Sequence, residues 1–157
     1  MYSALDVARF VINYSNEKDY GISNLKLQKI LYFIQAGFLL SLKGQKPCFN
    51  DCIEAWDFGP VVPEVYQEFK QYGSGSIPTV DSYIKFVGWD VQREKFDDSV
   101  INDDDKQLIK RIVDKFACYS ATDLVKLTHN QAPWINAYCP NENNEITNEA
   151  IMEYFNG

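Results

Sequence analysis

Histidine is almost missing from this chain, with His129 the one imidazole in 157 residues. Any acid–base or metal chemistry that needs an imidazole therefore has a single place to sit. Positive charge is also short: fifteen Lys and Arg face twenty-two Asp and Glu, for a formal net charge of −7. Phosphate backbones demand clustered cations, so direct binding to nucleic acid is not expected. No run of about twenty uncharged apolar residues occurs, and the nearest, Ile30 to Leu42, is too short to span a bilayer. No membrane association is expected. The opening Met-Tyr-Ser-Ala-Leu-Asp lacks the cationic and then apolar pattern of a secretory signal. The expectation is a cytoplasmic protein with reduced thiols.

Cysteine is sparse and poorly spaced for a metal. Cys48 and Cys52 have the C-x3-C spacing of half a zinc site, but Cys118 and Cys139 lie far apart. A Cys3His set with His129 is one reading; scattered small apolar side chains is the other, and no metal or cofactor is expected. The glycines make no phosphate cradle, because Gly73-Ser74-Gly75 runs into Ser-Ile-Pro and not into a helix carrying Lys-Ser or Lys-Thr. The acidic runs Asp97-Asp98 and Asp103-Asp104-Asp105 surround a helix start, where carboxylates favour the dipole; a basic partner docking there is the alternative. Lys26, Lys29, Lys43 and Lys46 form a loose stripe, expected mostly on the exposed side of the second helix. His129 could act as a general base for Cys118 or Cys139. It reads more simply as the residue ending a helix, packed beside Trp134. No catalytic residue is assigned, and the chain is not expected to be an enzyme.

What the chain does hold is apolar periodicity and aromatic bulk, with 46% hydrophobic and 15% aromatic residues. Ser3 to Asp6 resembles a capping box before Ala4, Val7, Ala8, Val11 and Tyr14 at helical spacing. Ser23 caps a second helix in which Leu27, Ile30, Leu31, Ile34, Phe38 and Leu42 are apolar on more than one face, closed by Lys43-Gly44. That helix should be central. Ile53 to Trp56 suits a short strand, Gly59-Pro60 a turn, and Pro63 the first turn of a helix. Ser82 to Val87 with Asp90-Val91 suits a hairpin around Gly88. Further helices are expected from Asp103, from the capping box at Ser120, and from Thr147, the last with Ile151, Tyr154 and Phe155 inward. Asn141 to Asn144 reads as a polar loop. The fold class is mostly α: a compact bundle of about six helices around a central hydrophobic helix, with a small β-hairpin or short extended segments. Residues 1–157 read as one domain.

Several segments in fixed order resemble one family. Ile22 to Phe38, with Lys29-Ile30-Leu31-Tyr32-Phe33 inside it, is similar to its signature helix. Ala55-Trp56, Gly59-Pro60-Val61-Val62-Pro63, Val65-Tyr66 and Tyr72-Gly73 resemble its next block, and Thr128-His129 with Pro133-Trp134 its C-terminal element. The family is that of the SocA-like antitoxins, or Panacea domain, which includes GepA-type phage-associated proteins. The resemblance implies an antitoxin of a toxin–antitoxin pair, found in bacteria and prophages. Its partner would be a cognate toxin, encoded by the adjacent gene and neutralised by direct contact. At least one branch instead delivers its toxin to a protease, so a protease or chaperone is a further candidate partner. Some members add a DNA-binding segment, for which a chain ending at Gly157 is expected to have no room. Residues 77–100 carry no family signal.

Trp56, Tyr66 and Tyr72 are amphipathic rings near turns, and Lys29 and Tyr32 share a helix face. All five are candidates for partner contact. The alternative puts Trp56 and Trp134 in the core with Tyr66 closing it. Leu27, Gly59, Pro60, Val61, Gly73, His129, Pro133 and Trp134 are the motif residues with expected structural roles. A phage-encoded effector that binds a host protein, and a small hydrolase built on His129, are the competing functions.

Overall fold

Ser3 opens the chain's first helix by accepting a hydrogen bond from the Asp6 amide at 3.1 Å, which satisfies a donor the helix cannot. The computed structural model describes residues 1–41 and 46–157. Helix α1 spans Ala4–Glu17 and α2 spans Asn24–Leu39, the latter capped by Ser23 Oγ on the Lys26 amide. Helix α2 ends at Leu39, with the Leu40 amide capping it on the Ala36 carbonyl, short of the expected Leu42; the expected Lys43-Gly44 cap lies outside the described residues. Strands β1 (Ile53–Trp56) and β2 (Gly59–Val61) follow, then α3 (Pro63–Phe69), with proline where its missing N–H costs nothing. Next come β3 (Ser82–Val87) and β4 (Asp90–Lys95), then α4 (Asp103–Lys115), α5 (Ala121–His129) and α6 (Ala132–Ala137). Strand β5 (Glu145–Ile146) and α7 (Asn148–Asn156) end the order.

Helix α2 is buried on every side because α1, α3, α4, α5, α7 and β2 all touch it. Leu27, Ile30, Leu31 and Ile34 are at most 1% exposed, and each such side chain stabilises the fold by about 2 kcal/mol. Phe33 stacks on Phe116 of the α4 C-terminus at 4.4 Å, fixing α2 against α4. The hydroxyls of Tyr14 and Tyr20 both donate to Asp114 at 2.8 Å, tying α1 and the loop after it to α4.

The strands form two small sheets. In one, β1 is central and pairs antiparallel with β2 and β5. In the other, β3 and β4 pair only with each other, turning through Gly88 and Trp89. Gly88 has φ +60, a conformation that side chains resist.

Three further sequence expectations change. Seven helices are described where about six were expected, the short α6 being the addition. The tail of the Asn141–Asn144 loop leads into β5, a two-residue strand that only its long-range pairing with β1 defines. Tyr154, expected inward, is exposed while Ile151 is fully buried, since α7 offers only one face to the core. Among the described residues no helix is long and apolar enough to cross a membrane.

Candidate partner-binding surface

The residues of the signature helix are not on the surface. Lys29 and Tyr32 are 0% exposed, so the two side chains expected at a partner face lie in the core instead. The reason is the encirclement of α2, which leaves its polar stripe no solvent side. Its polar groups are spent on backbone amides and carbonyls and on other buried side chains. Gln28 accepts from the Val62 amide at 2.9 Å and donates to Asn24 at 2.8 Å, and Asn24 donates to the Tyr66 carbonyl at 3.1 Å. Gln35 donates to the Phe49 carbonyl and accepts from the Cys48 amide, both at 2.8 Å. Tyr32 donates to Gln131 at 2.8 Å, and burial raises its phenol.

Lys29 donates to the Pro60 carbonyl at 3.1 Å. Desolvation pulls its ammonium down from 10.5 to about 7. Gly59 makes this approach possible: at φ +108, an added Cβ would stand 2.6 Å from Lys29 Cε and 2.9 Å from Thr128 Oγ1. Leu27, Pro60 and Val61 are buried around it, and Gly73, at φ +57, closes the turn after α3. The motif therefore holds the β1–β2 turn from beneath.

Above that floor stands a column of rings. His129, the last residue of α5, stacks on Trp134 at 4.0 Å, and Trp134 on Tyr138 at 4.5 Å. Pro133, buried at the first turn of α6, sets the entry of Trp134. The Trp134 indole donates to the Trp56 carbonyl at 2.8 Å, and the Tyr138 hydroxyl donates to Asp57. Trp56 meets Tyr66 edge-on at 5.1 Å. Together Trp56, Phe58, Tyr66 and Tyr138 wall a cleft of about 330 Å³, with Asp57 and Glu142 at its rim. Trp56 and Tyr66 are half-buried, and Phe58 is 64% exposed.

Little in this neighbourhood is poised for bond making. The His129 ring is committed to Trp134, and its Nε2 is buried with no hydrogen-bond partner among the described residues. Burial raises the Cys48 and Cys52 thiols, and a hydrogen bond to Glu142 raises Cys139, so none of these three is driven toward the reactive thiolate. Among the described residues no group of three or more His, Cys, Asp or Glu side chains is placed to hold a metal.

Tyr72 lies elsewhere, in a groove of about 430 Å³ between the turn after α3 and the root of the β3–β4 hairpin. There Arg9, paired with Asp6 at 2.9 Å, lays its guanidinium 3.5 Å from the Tyr83 ring. Beyond the root the hairpin is bare. Ile84, Phe86 and Val91 share one face and are exposed, Phe86 by 75%, and Trp89 at the tip is fully exposed. The sequence reading missed these four. Their only signal was alternation in Ser82-Tyr83-Ile84-Lys85-Phe86, which marks two faces but does not say that nothing covers them.

Residues 27–135 match the family model described as antitoxin SocA-like, Panacea domain. Antitoxin SocA of Caulobacter vibrioides (strain NA1000 / CB15N) is 46% identical over 67 residues, which is 43% of this chain and 35% of that protein. The chain thus matches about a third of the length of this curated relative. No solved structure matches it.

Proposed function

This chain belongs to the SocA-like antitoxin, Panacea-domain family, and we propose that it neutralises a cognate toxin by covering it in a stoichiometric complex, without chemistry of its own. The observation that carries this reading is the bare hairpin. A two-stranded ribbon is marginal in water, and contiguous exposed apolar surface marks a place for another protein. Ile84, Phe86, Trp89 and Val91 give such a surface, and Tyr72 extends it at the root. Trp56 and Tyr66 contribute a second contact through their cleft, whereas Lys29 and Tyr32 act from below by holding that cleft in shape. The toxin is the product of the neighbouring gene.

The test is co-expression with that gene. The neighbour alone should stop growth, and this chain should restore it and co-purify with it. Phe86→Asp with Trp89→Asp should abolish rescue while thermal unfolding is unchanged, because both side chains are already in solvent. Rescue that persists with the double variant would remove the hairpin from the interface. A neighbour that is harmless by itself would remove the antitoxin function. Loss of toxin from the cell, in place of a stable complex, would show delivery to a protease.

A further inference from the structure

We propose that the cleft between Trp56, Phe58, Tyr66 and Tyr138 is a socket for an arginine side chain presented by the protein partner. This rests on the reading that the chain binds another protein, and it gives the second of the two contact surfaces a specific chemistry.

Three observations converge. The walls are aromatic, and ring faces attract a flat cation, with guanidinium better suited than ammonium because it can stack. The rim carries Asp57 and Glu142, and no Lys or Arg lines the cleft among the described residues. Neither carboxylate has a salt-bridge partner there: Asp57 accepts from the Tyr138 hydroxyl, and Glu142 from Asn144 at 3.4 Å. The walls are also built rather than loose. Trp56 is fixed by its indole donating to Glu54 at 2.9 Å and by its carbonyl accepting from Trp134, while Tyr138 is fixed by its stack on Trp134. A pre-set pocket of about 330 Å³ admits one long side chain with little reordering, which is the condition for a strong anchor at an interface. The exposed Phe58 at the mouth can cover the aliphatic stem of that side chain.

The probe is N-acetyl-arginine amide, titrated into the full chain labelled with nitrogen-15, with the neutral isostere N-acetyl-citrulline amide as control. The expected result is a saturable shift of the Trp56 indole N–H with arginine, at least tenfold weaker with citrulline and lost in the Asp57→Asn/Glu142→Gln variant. Equal response to both compounds, no response to either, or a response that survives in the variant would overturn the proposal. Growth rescue by the unaltered chain reports separately on the antitoxin reading, so a failed titration sinks only the socket.

Discussion

Replacing Lys29 with methionine should change how stability depends on pH, and the size of the change follows from one buried nitrogen. In the unfolded chain the Lys29 ammonium has its ordinary value of 10.5, whereas in the folded protein desolvation holds it near 7. Between those values the unfolded state carries a proton that the folded state does not, so stability must rise with pH. The penalty is complete below pH 7 and gone above 10.5. Integrated from pH 7 to pH 9, the rise from this group alone is about 2 kcal/mol. Methionine keeps the volume and removes the titration. It also leaves the Pro60 carbonyl without its donor, a pH-independent cost of about 1–3 kcal/mol. Urea unfolding of both proteins at pH 7, 8 and 9 isolates the effect, since every other titrating group cancels in the difference. The wild type should gain on Lys29→Met by about 2 kcal/mol across that range. Curves that run parallel to within about 0.5 kcal/mol would show that Lys29 is solvated, and the account of the β1–β2 floor would fall with it.

Gly59→Ala should destabilise by at least about 2 kcal/mol, because a Cβ at φ +108 is strained and collides with Lys29 and Thr128; a fall in the melting temperature of about 5 °C or more checks it. Gln35→Ala strips partners from the Phe49 carbonyl and the Cys48 amide, at a cost of about 3 kcal/mol in denaturant unfolding. Ser120→Ala removes one half of the capping box on α5 and should cost only about 1 kcal/mol. A loss as large as that of Gln35→Ala would mean that the cap does more than satisfy a helix end.

Local chemistry was legible and long-range cover was not. Ser3, Ser23, Ser120 and Thr147 each cap a helix as their spacing implied, because a cap is decided within about four residues. The centrality of α2 could also be read, since a helix apolar on more than one face must be enclosed. Enclosure carries a corollary that spacing alone conceals: its polar residues are enclosed too, so Lys29 and Tyr32 face protein rather than a partner. In the candidate surface, Trp56 and Tyr66 do meet, but Tyr72 belongs to the hairpin groove, and no pattern in the sequence brings Glu142 to the rim beside Asp57. Those juxtapositions come from β5 pairing with β1 and from the Trp134 bond to Trp56, contacts between residues far apart in the chain.

The hairpin's attachment has a practical corollary. The Asn13 side chain grips Val80 at both its amide and its carbonyl, at 2.8 and 3.0 Å, and the Phe96 amide closes the neck on the Asp81 carbonyl at 2.9 Å. Everything between is a blade clamped in a handle. On the proposed reading of the hairpin as the partner surface, residues 82–95 are exchangeable for the corresponding segment of a relative while the handle stays intact, which would make partner choice a transplantable property.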